Sequence, residues 1–322
     1  GSNTLTAKFE FVNSKTENCG VYQFGKRISK ILKQENLNFN YNECNSLSDF
    51  KNLNLKSKNL IFNYIKAGRD NSPLGWLNNN ILSNLKLSKY SLITIGHLND
   101  VKLKFDNIIS QNPDQNQNNL KNIWAMPRPL PYDLKNTPFK KINTNFKKKI
   151  RIGSFGLADE SKGFAELISG INENYTNIEF NFHITSSYYS DPSKLKMNKI
   201  INDCKSILLK KSNSLTINSN FLSNKMLINF LNSNDINIFN YLETEDDDDG
   251  GISSVIDYAI SSRKPFAVSK ASLFKHISKE LVFNFKNLED ILSYKSHFCD
   301  KYMTKWSHSE LKRFFENFIN SL

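Results

Sequence analysis

Three features are missing from this sequence of 322 residues: a long apolar run, a cysteine framework and a GxGxxG fingerprint. Apolar residues nowhere continue for the roughly 18 to 20 positions that a membrane-spanning helix needs, and no secretory signal is recognisable. The four cysteines are scattered without metal-ligand spacing, which favours free thiols over disulfides. The missing fingerprint argues against a dinucleotide-binding fold of the usual kind. We therefore expect a cytoplasmic protein.

Positive charge, in contrast, is abundant. Lysine and arginine total 43 and the acids 31, so the formal net charge is +12. This excess favours an anionic partner, which could be a nucleotide, an anionic lipid surface or a nucleic acid. The lysine-rich stretch 137–149 contains only two aromatic residues, Phe139 and Phe146, which argues against single-stranded nucleic acid. We interpret it as a solvated face at the boundary between two domains.

Acidic residues are concentrated in one run of five, Glu245 to Asp249. Such a run could bind a divalent ion through its carboxylates. A solvated acidic loop is the simpler interpretation, because a run of like charges cannot bury enough apolar surface to order itself. We therefore predict no metal site.

The first half of the chain alternates strand and helix patterns. Lys8 to Val12 predicts a strand, Gly20 marks the turn, and an amphipathic helix follows. Further strands are predicted at Leu60–Ile65 and Tyr90–Ile95. Strands that alternate with helices form a parallel sheet, so the first half is predicted to be an α/β domain.

Ligands of parallel α/β sheets bind at the carboxyl ends of the strands. Gly20, Asn63, Tyr64 and His97 fall at those ends. His97 could orient a substrate or take part in proton transfer, or it could simply be hydrogen-bonded at the start of a loop. A polar stretch at 111–119 predicts a surface loop, and the proline-rich segment 123–132 predicts an extended connection.

The second half repeats the pattern. Strands are predicted at Ile150–Phe155, Ile178–Ile184, Leu215–Ile217, Ile236–Tyr241, Phe266–Val268 and Leu281–Phe283. Helical patterns separate most of them, and a terminal amphipathic helix is predicted at 307–322. This order predicts a second doubly wound sheet. Length agrees, because 322 residues suffice for two domains that each bury a core.

Two short motifs in this half suit a phosphate. Lys162 stands beside Gly163 at a helix start, where a lysine and backbone N–H groups together can bind a diphosphate. Gly250 and Gly251 precede Ser253 and Ser254, which open another helix, and a helix start of this kind also favours an anion. Each motif has a plain structural alternative, a surface lysine in the first case and a serine N-cap in the second.

As an ordered set, three segments resemble a GT-B glycosyltransferase of the retaining family four, the "glycosyl transferases group 1" type. They are GSFGLADESKGFAELI (153–168), FLSNKMLINFLNSNDINIFNY (221–241) and GGISSVIDYAISSRKPFAVS (250–269). The first half resembles the family only in layout and in NCGVYQFGKRI (18–28). The resemblance implies an α/β fold of two Rossmann-like, doubly wound domains that face each other across a cleft. We assign them to 1–145 and 146–300, with a terminal helix at 301–322 that could pack back on the first domain.

The resemblance also implies roles for individual residues. Donor-binding roles fall to Gly20, Val21, Ser154, Gly156, Lys162, Phe221, Leu222, Gly251, Ser253 and Ser254. Within this set Lys162 would contact the diphosphate, and Phe221 and Leu222 would line the pocket for the base. The loop at 154–156 would lie beside the donor. His97 would contact the transferred sugar.

The sequence departs from the family at two places. The family carries two glutamates eight positions apart, where this chain has either Asp249 and Asp257 or Gly250 and Tyr258. The first alignment keeps both carboxylates, and it makes Asp249 and Asp257 catalytic candidates together with His97. An arginine that precedes the lysine–glycine pair in the family is missing, with Gly156 and Leu157 near its position.

These features predict transfer of a sugar, with retention, from a nucleotide-diphosphate sugar to an unknown acceptor, which could be a glycan, a lipid-linked sugar or a protein. Catalysis would be electrostatic, without a required cofactor or metal. Peripheral contact with an anionic membrane stays open, and nucleic acid is the less favoured partner because the lysine-rich stretch has few aromatic residues. Three alternatives stay open: an impaired GT-B-like scaffold that binds an anionic polymer or membrane surface, a sugar transferase that acts on DNA, and a GT-B sugar-nucleotide epimerase.

Overall fold

The computed structural model describes residues 6–16, 19–64, 73–98, 101–116, 122–137, 149–187, 190–243 and 251–322. Asp249, Gly250, the acidic run and nearly all of the lysine-rich stretch lie outside these ranges. The chain folds into two compact units. Unit 1 comprises Gly1–Pro129, Asp248–Ile252 and His308–Leu322, and unit 2 comprises Leu130–Asp247 and Ser253–Ser307.

Unit 1 contains a six-stranded, wholly parallel sheet. Its strands are β1 (Glu10–Asn13), β2 (Asn40–Glu43), β3 (Asn59–Asn63), β4 (Ser91–Gly96), β5 (Asn107–Ser110) and β6 (Ile123–Ala125). They are ordered β2-β1-β3-β4-β5-β6. Its helices are α1 (Gly20–Gln34), α2 (Leu47–Lys51), α3 (Asn79–Leu87) and, from the end of the chain, the helix His308–Asn320.

The core of unit 1 follows from the pattern of its strands and of α1. β3 is buried on both faces, as expected of a central parallel strand, and it is apolar at Leu60, Ile61 and Phe62. Helix α1 buries Phe24, Ile28, Ile31 and Leu32 on one face. The terminal helix packs against α1, and the ring of Phe315 stacks on Phe9 at 5.7 Å.

Unit 2 contains a five-stranded, wholly parallel sheet. Its strands are β7 (Ile150–Leu157), β8 (Ile178–Thr185), β9 (Ser214–Asn218), β10 (Ile236–Phe239) and β11 (Phe266–Val268). They are ordered β11-β10-β7-β8-β9. Its helices are α4 (Phe164–Asn174), α5 (Leu195–Lys205), α6 (Asn224–Asn232), α7 (Val255–Ser261), α8 (Leu288–Ser293) and α9 (His297–Lys305). The terminal helix His308–Asn320 is α10.

In both parallel sheets the order of the strands reverses at one internal point, which defines the place where a ligand can bind. In unit 1 the order turns between β1 and β3, and in unit 2 it turns between β7 and β10. Helices after such neighbouring strands lie on opposite faces of the sheet, which leaves a crevice above the strand ends. Each unit therefore offers one topologically defined crevice for a ligand.

Most predicted strands are confirmed, and the errors have physical causes. β2, β5 and β6 were missed, and β2 reads Asn-Tyr-Asn-Glu with no buried residue. β6 lies inside the segment predicted as an extended connection. The strand predicted at Leu281–Phe283 is wrong: a 3-10 turn occupies Lys279–Leu281, with a single bridge from Val282 to Val268. No helix in the described ranges is both long and apolar enough to cross a membrane.

Candidate functional site

The crevice of unit 2 is bordered by the two loops that follow β7 and β10. The first loop leads through a 3-10 turn, Glu160–Lys162, into α4. The second begins at Asn240 and runs beside it. Backbone contact joins the loops, because Leu242 N donates to Ser161 O at 2.7 Å. The sequence Lys162-Gly163 is thus held at the topological switch point of the sheet.

Glycine is required at position 163, where the loops after β7 and β10 meet. Its φ is +63°, in the left-handed region that L side chains avoid, and it forms the N-cap of α4. A Cβ atom placed on Gly163 would lie 2.1 Å from the carbonyl oxygen of Asn240. The Asn240 side chain in turn donates from Nδ2 to Gly163 O at 3.4 Å. Close approach of two backbones, together with positive φ, explains why glycine follows the lysine.

Lys162 presents a cation at this joint. Its Nζ lies 4.1 Å from the centroid of the Tyr241 ring, within the range of a cation–π contact. Within the described ranges no carboxylate lies within 4.0 Å of Nζ, and the side chain is partly exposed. A cation held on an aromatic face without an acidic partner is suited to an anionic ligand.

Tyr241 also connects this lysine to the predicted Gly/Ser segment. The hydroxyls of Tyr241 and Ser253 share a hydrogen bond of 3.2 Å. Ser253 Oγ is also a distant acceptor for Val255 N, at 3.5 Å, at the start of α7. Lys162 and Ser253, which sequence analysis assigned separately to the donor, therefore contact one common side chain.

The helix after β7 differs from its neighbours at the N-terminus. No side chain caps α4, whereas Asp191 accepts from Lys196 N and Met197 N at α5, and Ser223 accepts from Met226 N at α6. The first N–H groups of a helix need acceptors, and a capping side chain supplies one. The start of α4 is therefore the one among these three helices that lacks a side-chain acceptor where an anion can bind.

Acidic residues near α4 lie toward α5. Asp159, Glu160, Glu166 and Asp203 border a shallow pocket together with Phe164 and Ile200. Four carboxylates repel a diphosphate, so this pocket does not suit the donor. The neighbouring surface at Lys162 and Tyr241, toward β10, is the favourable side for an anion.

Asp159 stabilises the loop that carries Lys162. Partial burial alone would raise its pKa, but hydrogen bonds from Lys196 Nζ (2.8 Å), Ser161 Oγ (2.7 Å) and Ser161 N (2.9 Å) outweigh it and lower the pKa to about 2. Lys196 is raised in pKa by the same hydrogen bond. The ionised carboxylate is therefore the form that holds the turn before Lys162.

Stability is expected to depend on pH through Asp159. Its folded pKa is about 2 and the ordinary value is 3.8. Because the folded pKa is depressed, the contribution is full above the unfolded pKa and is lost as pH falls from about 4 through about 2. The side chain is 42% exposed, so solvent screening reduces the contribution to about 1 kcal/mol.

Urea denaturation of the wild type and Asp159→Asn from pH 6 downward checks this expectation. The difference in unfolding free energy should be constant above pH 4 and shrink below it. A difference that persists unchanged at the lowest pH where both proteins fold would contradict the assignment to the Asp159 carboxylate.

The crevice of unit 1 is built around the start of α1. Asn63 Nδ2 donates to Val21 O at 2.9 Å, and Asn13 Nδ2 donates to Tyr22 O at 3.1 Å. The two amides also bond each other, from Asn63 Nδ2 to Asn13 Oδ1 at 2.9 Å. Asn13 ends β1 and Asn63 ends β3, so a pair of asparagines at the switch point fixes the first turn of α1. No side chain caps this helix at Cys19.

Gly20, predicted at the turn before the helix, is the first residue of α1, and an added Cβ would meet no atom within 4 Å. Val21 follows in the first turn. Sequence analysis placed Asn63 at a strand end but missed Asn13, because nothing in the stretch EFVNS marks this asparagine as part of a pair. His97 directly follows β4 and is buried, with 8% of its surface exposed.

Two residues of unit 2 that were predicted to take part in the site, Ser154 and Asp257, are buried. The loop predicted at 154–156 is wrong, because β7 continues to Leu157 and Ser154 is buried inside the sheet. Small residues are needed there, since a Cβ on Gly153 would lie 1.9 Å from Asn234 Nδ2. Asp257 is completely buried in the first turn of α7.

The other residues divide into exposed and buried ones. Phe221 is 79% exposed and Leu222 is partly exposed, on the connection between β9 and α6. Tyr258, the residue that the second alignment places at the family glutamate, donates its hydroxyl to Asn224 Oδ1 at 3.2 Å. Gly251 is buried and Ser254 directly precedes α7. Asp249 lies outside the described residues.

Comparison with known proteins found relatives by structure alone. Neither protein-family models nor curated proteins gave a match. Among solved structures, HepE of Anabaena, in complex with UDP-glucose, is similar with a TM-score of 0.63 and 9% identity over 98% of this chain and 99% of HepE. HepE was also solved with UDP and glucose. A glycosyltransferase of Rickettsia africae is similar with a TM-score of 0.62 and 11% identity over 98% of both chains.

A third structure is larger than this protein. The UDP-forming α,α-trehalose-phosphate synthase of Burkholderia vietnamiensis is matched over 54% of this chain and 46% of its own length, with 12% identity and a TM-score of 0.40. This chain therefore spans about half the length of that synthase. At these identities it is the likeness to HepE and to the Rickettsia enzyme that shows the fold. It is the GT-B fold of two Rossmann-like α/β domains, which confirms the fold predicted from the sequence.

Proposed function

We propose that this GT-B protein transfers a sugar from a nucleoside diphosphate donor to an acceptor. One observation carries the proposal. Lys162 has no acidic partner in the described ranges, and it stands at the N-terminus of α4, which no side chain caps. This arrangement lies at the switch point of the sheet, where α/β proteins bind their ligands. A diphosphate matches the positive charge of the lysine and the N–H groups of the helix.

The same groups would do the chemistry. Cleavage of the bond between the sugar and the diphosphate leaves additional negative charge on the departing phosphate oxygen. Lys162 and the N-terminus of α4 would stabilise this charge as it develops, which lowers the barrier more than it tightens substrate binding. In this proposal no metal ion is required, because the protein itself supplies the positive charge. Transfer with retention is part of the proposal and rests on the family resemblance.

Uridine nucleotides are the first donors to test, since HepE was solved with UDP-glucose and with UDP and glucose. The base would lie near Phe221, whose exposed ring can stack on it. The acceptor would be a glycan, a lipid-linked sugar or a protein. A cytoplasmic location is also proposed, on the scattered cysteine positions.

Lys162→Ala is expected to weaken UDP binding by roughly tenfold or more, because a charge-assisted contact to phosphate is lost. A thermal-shift panel of UDP, GDP, ADP, TDP and CDP, each with its common sugar conjugates and with or without Mg²⁺, identifies the base. A ligand that binds only the folded protein raises the midpoint by mass action. Titration calorimetry then compares wild type and variant. Lys199→Ala, which removes an exposed lysine of the same unit, is the matched control and should keep the affinity.

A flat panel for the wild type would contradict the proposal. The alternative is then a GT-B-like scaffold that binds an anionic surface. Helix α1 supports a surface of this kind, because Lys26, Lys30 and Lys33 are exposed along one side of it and none has a carboxylate within 4.0 Å in the described ranges. Salt-sensitive binding to vesicles that contain an anionic lipid, combined with no nucleotide binding, would favour this alternative.

A further inference from the structure

Tyr241 is the side chain on which the anion-binding groups of unit 2 converge. It follows β10, is 6% exposed, and was not among the residues to which sequence analysis gave a donor-binding role. Its ring carries Lys162 Nζ at 4.1 Å, and its hydroxyl is bonded to Ser253 Oγ at 3.2 Å. One residue thus contacts both the loop before α4 and the segment before α7.

The surroundings hold Tyr241 in a single place. The ring packs on Phe274 with centroids 4.6 Å apart, and its carbonyl oxygen accepts from Ser269 Oγ at 2.7 Å. The neighbouring residue Leu242 is bonded through its N–H to Ser161 O. A residue whose ring is packed and whose backbone is held by two hydrogen bonds can define the position of more mobile groups that touch it.

Lys162 needs such a support. A lysine side chain has four rotatable bonds, and ordering it costs rotamer entropy when a ligand binds. Contact with an aromatic face limits the positions of the ammonium group before the anion arrives. The ring also keeps that group beside the start of α4, where the phosphate would meet the lysine and the helix N–H groups together.

We infer that Tyr241 is a positioning residue for the diphosphate site, which aligns the Lys162 ammonium group through its ring and the Ser253 hydroxyl through its own hydroxyl. This inference rests on the proposed function. It assigns two separable parts to one side chain. The ring acts on Lys162, and the hydroxyl acts on Ser253.

Substitutions separate the two parts. Tyr241→Phe keeps the ring and removes the bond to Ser253, so UDP affinity should fall by about threefold and no further, because Lys162 stays supported. Tyr241→Leu removes the ring and should weaken UDP binding by roughly tenfold, similar to Lys162→Ala. In the double variant Lys162→Ala/Tyr241→Leu the two losses of UDP affinity should not multiply, because the ring acts only through the lysine. Titration calorimetry with UDP and with inorganic pyrophosphate measures the wild type and all four variants.

A control accounts for simple loss of a buried ring. Tyr302 is a buried tyrosine of the same unit, with its ring stacked on Trp306 and its hydroxyl accepting from Ser278 N. Tyr302→Leu should lower stability while UDP affinity persists at a temperature where the variant is folded.

The outcomes distinguish the inference from the proposed function. If the wild type binds UDP and the losses from Tyr241→Leu and Lys162→Ala multiply, or Tyr241→Leu binds UDP normally, the positioning role is wrong and the site stands. If the wild type binds neither a nucleoside diphosphate nor pyrophosphate, both proposals fail.

Discussion

Gly163→Ala should lower the unfolding free energy by about 3 kcal/mol and abolish nucleotide binding. Two costs add at this position. A non-glycine residue at φ +63° costs about 1 to 2 kcal/mol. The new Cβ would also lie 2.1 Å from Asn240 O, a backbone atom that cannot turn away, so the loops after β7 and β10 would separate. That separation would move Lys162 away from Tyr241. Urea denaturation and UDP titration measure both effects.

Lys194 provides a control position with a similar backbone conformation, also directly before a helix. It precedes α5 with φ 61° and already carries a side chain. Lys194→Ala should therefore change stability by less than about 1 kcal/mol, because no new contact is made. If Gly163→Ala is as mild as Lys194→Ala, the close approach of the two loops at Asn240 is wrong.

Gly25→Ala should destabilise unit 1 by about 2 kcal/mol, although the same change in an exposed helix stabilises it by roughly 0.5 to 1 kcal/mol. The new Cβ would lie 2.5 Å from Asn63 Nδ2 and 2.7 Å from Asn13 Nδ2. Both amides are held by hydrogen bonds to each other and to the first turn of α1, so neither can retreat without losing them. Denaturant unfolding measures the loss of stability.

The same helix supplies the control for this sign reversal. Gly20→Ala places its methyl group in open space and should be neutral or slightly stabilising. Equal effects of the two substitutions would contradict the packing of α1 on the asparagine pair. A crystal structure of Gly25→Ala should further show the start of α1 displaced from β1 and β3.

Sequence reasoning reached the fold because its signals are local. Alternation of strand and helix patterns predicts a parallel sheet, and runs such as Leu60 to Phe62 identify its buried strands. β2 was not predicted because it is an edge strand, and an edge strand needs no apolar face. Similarly, the lysine–glycine pair at 162–163 was recognisable because its signals are local. Glycine favours positive φ, and the apolar residues at helical spacing after it mark the start of α4.

The finer details of the site depend on contacts between residues far apart in the chain. Tyr241 contacts Lys162, 79 positions away, and no periodic pattern in the sequence predicts a cation–π contact of this kind. Asn13 and Asn63 are 50 positions apart and become a pair only when β1 and β3 lie side by side. Ser154, predicted in a loop, lies in a strand for a local reason. Small residues that suggest a loop can also serve a crowded strand, as the Gly153 contact with Asn234 demonstrates.

The division of the chain has a consequence for its synthesis. Phe315 in α10 stacks on Phe9 beside β1, so the first and last elements of the sequence share one core. On the ribosome, where domains usually fold in order of emergence, unit 1 must wait for residues 308–320 before this core is complete. The last residue of unit 2, Ser307, precedes this helix in the sequence. The sheet of unit 1 therefore lacks part of its cover until residues 308–320 have left the ribosome, although its strands are synthesised first.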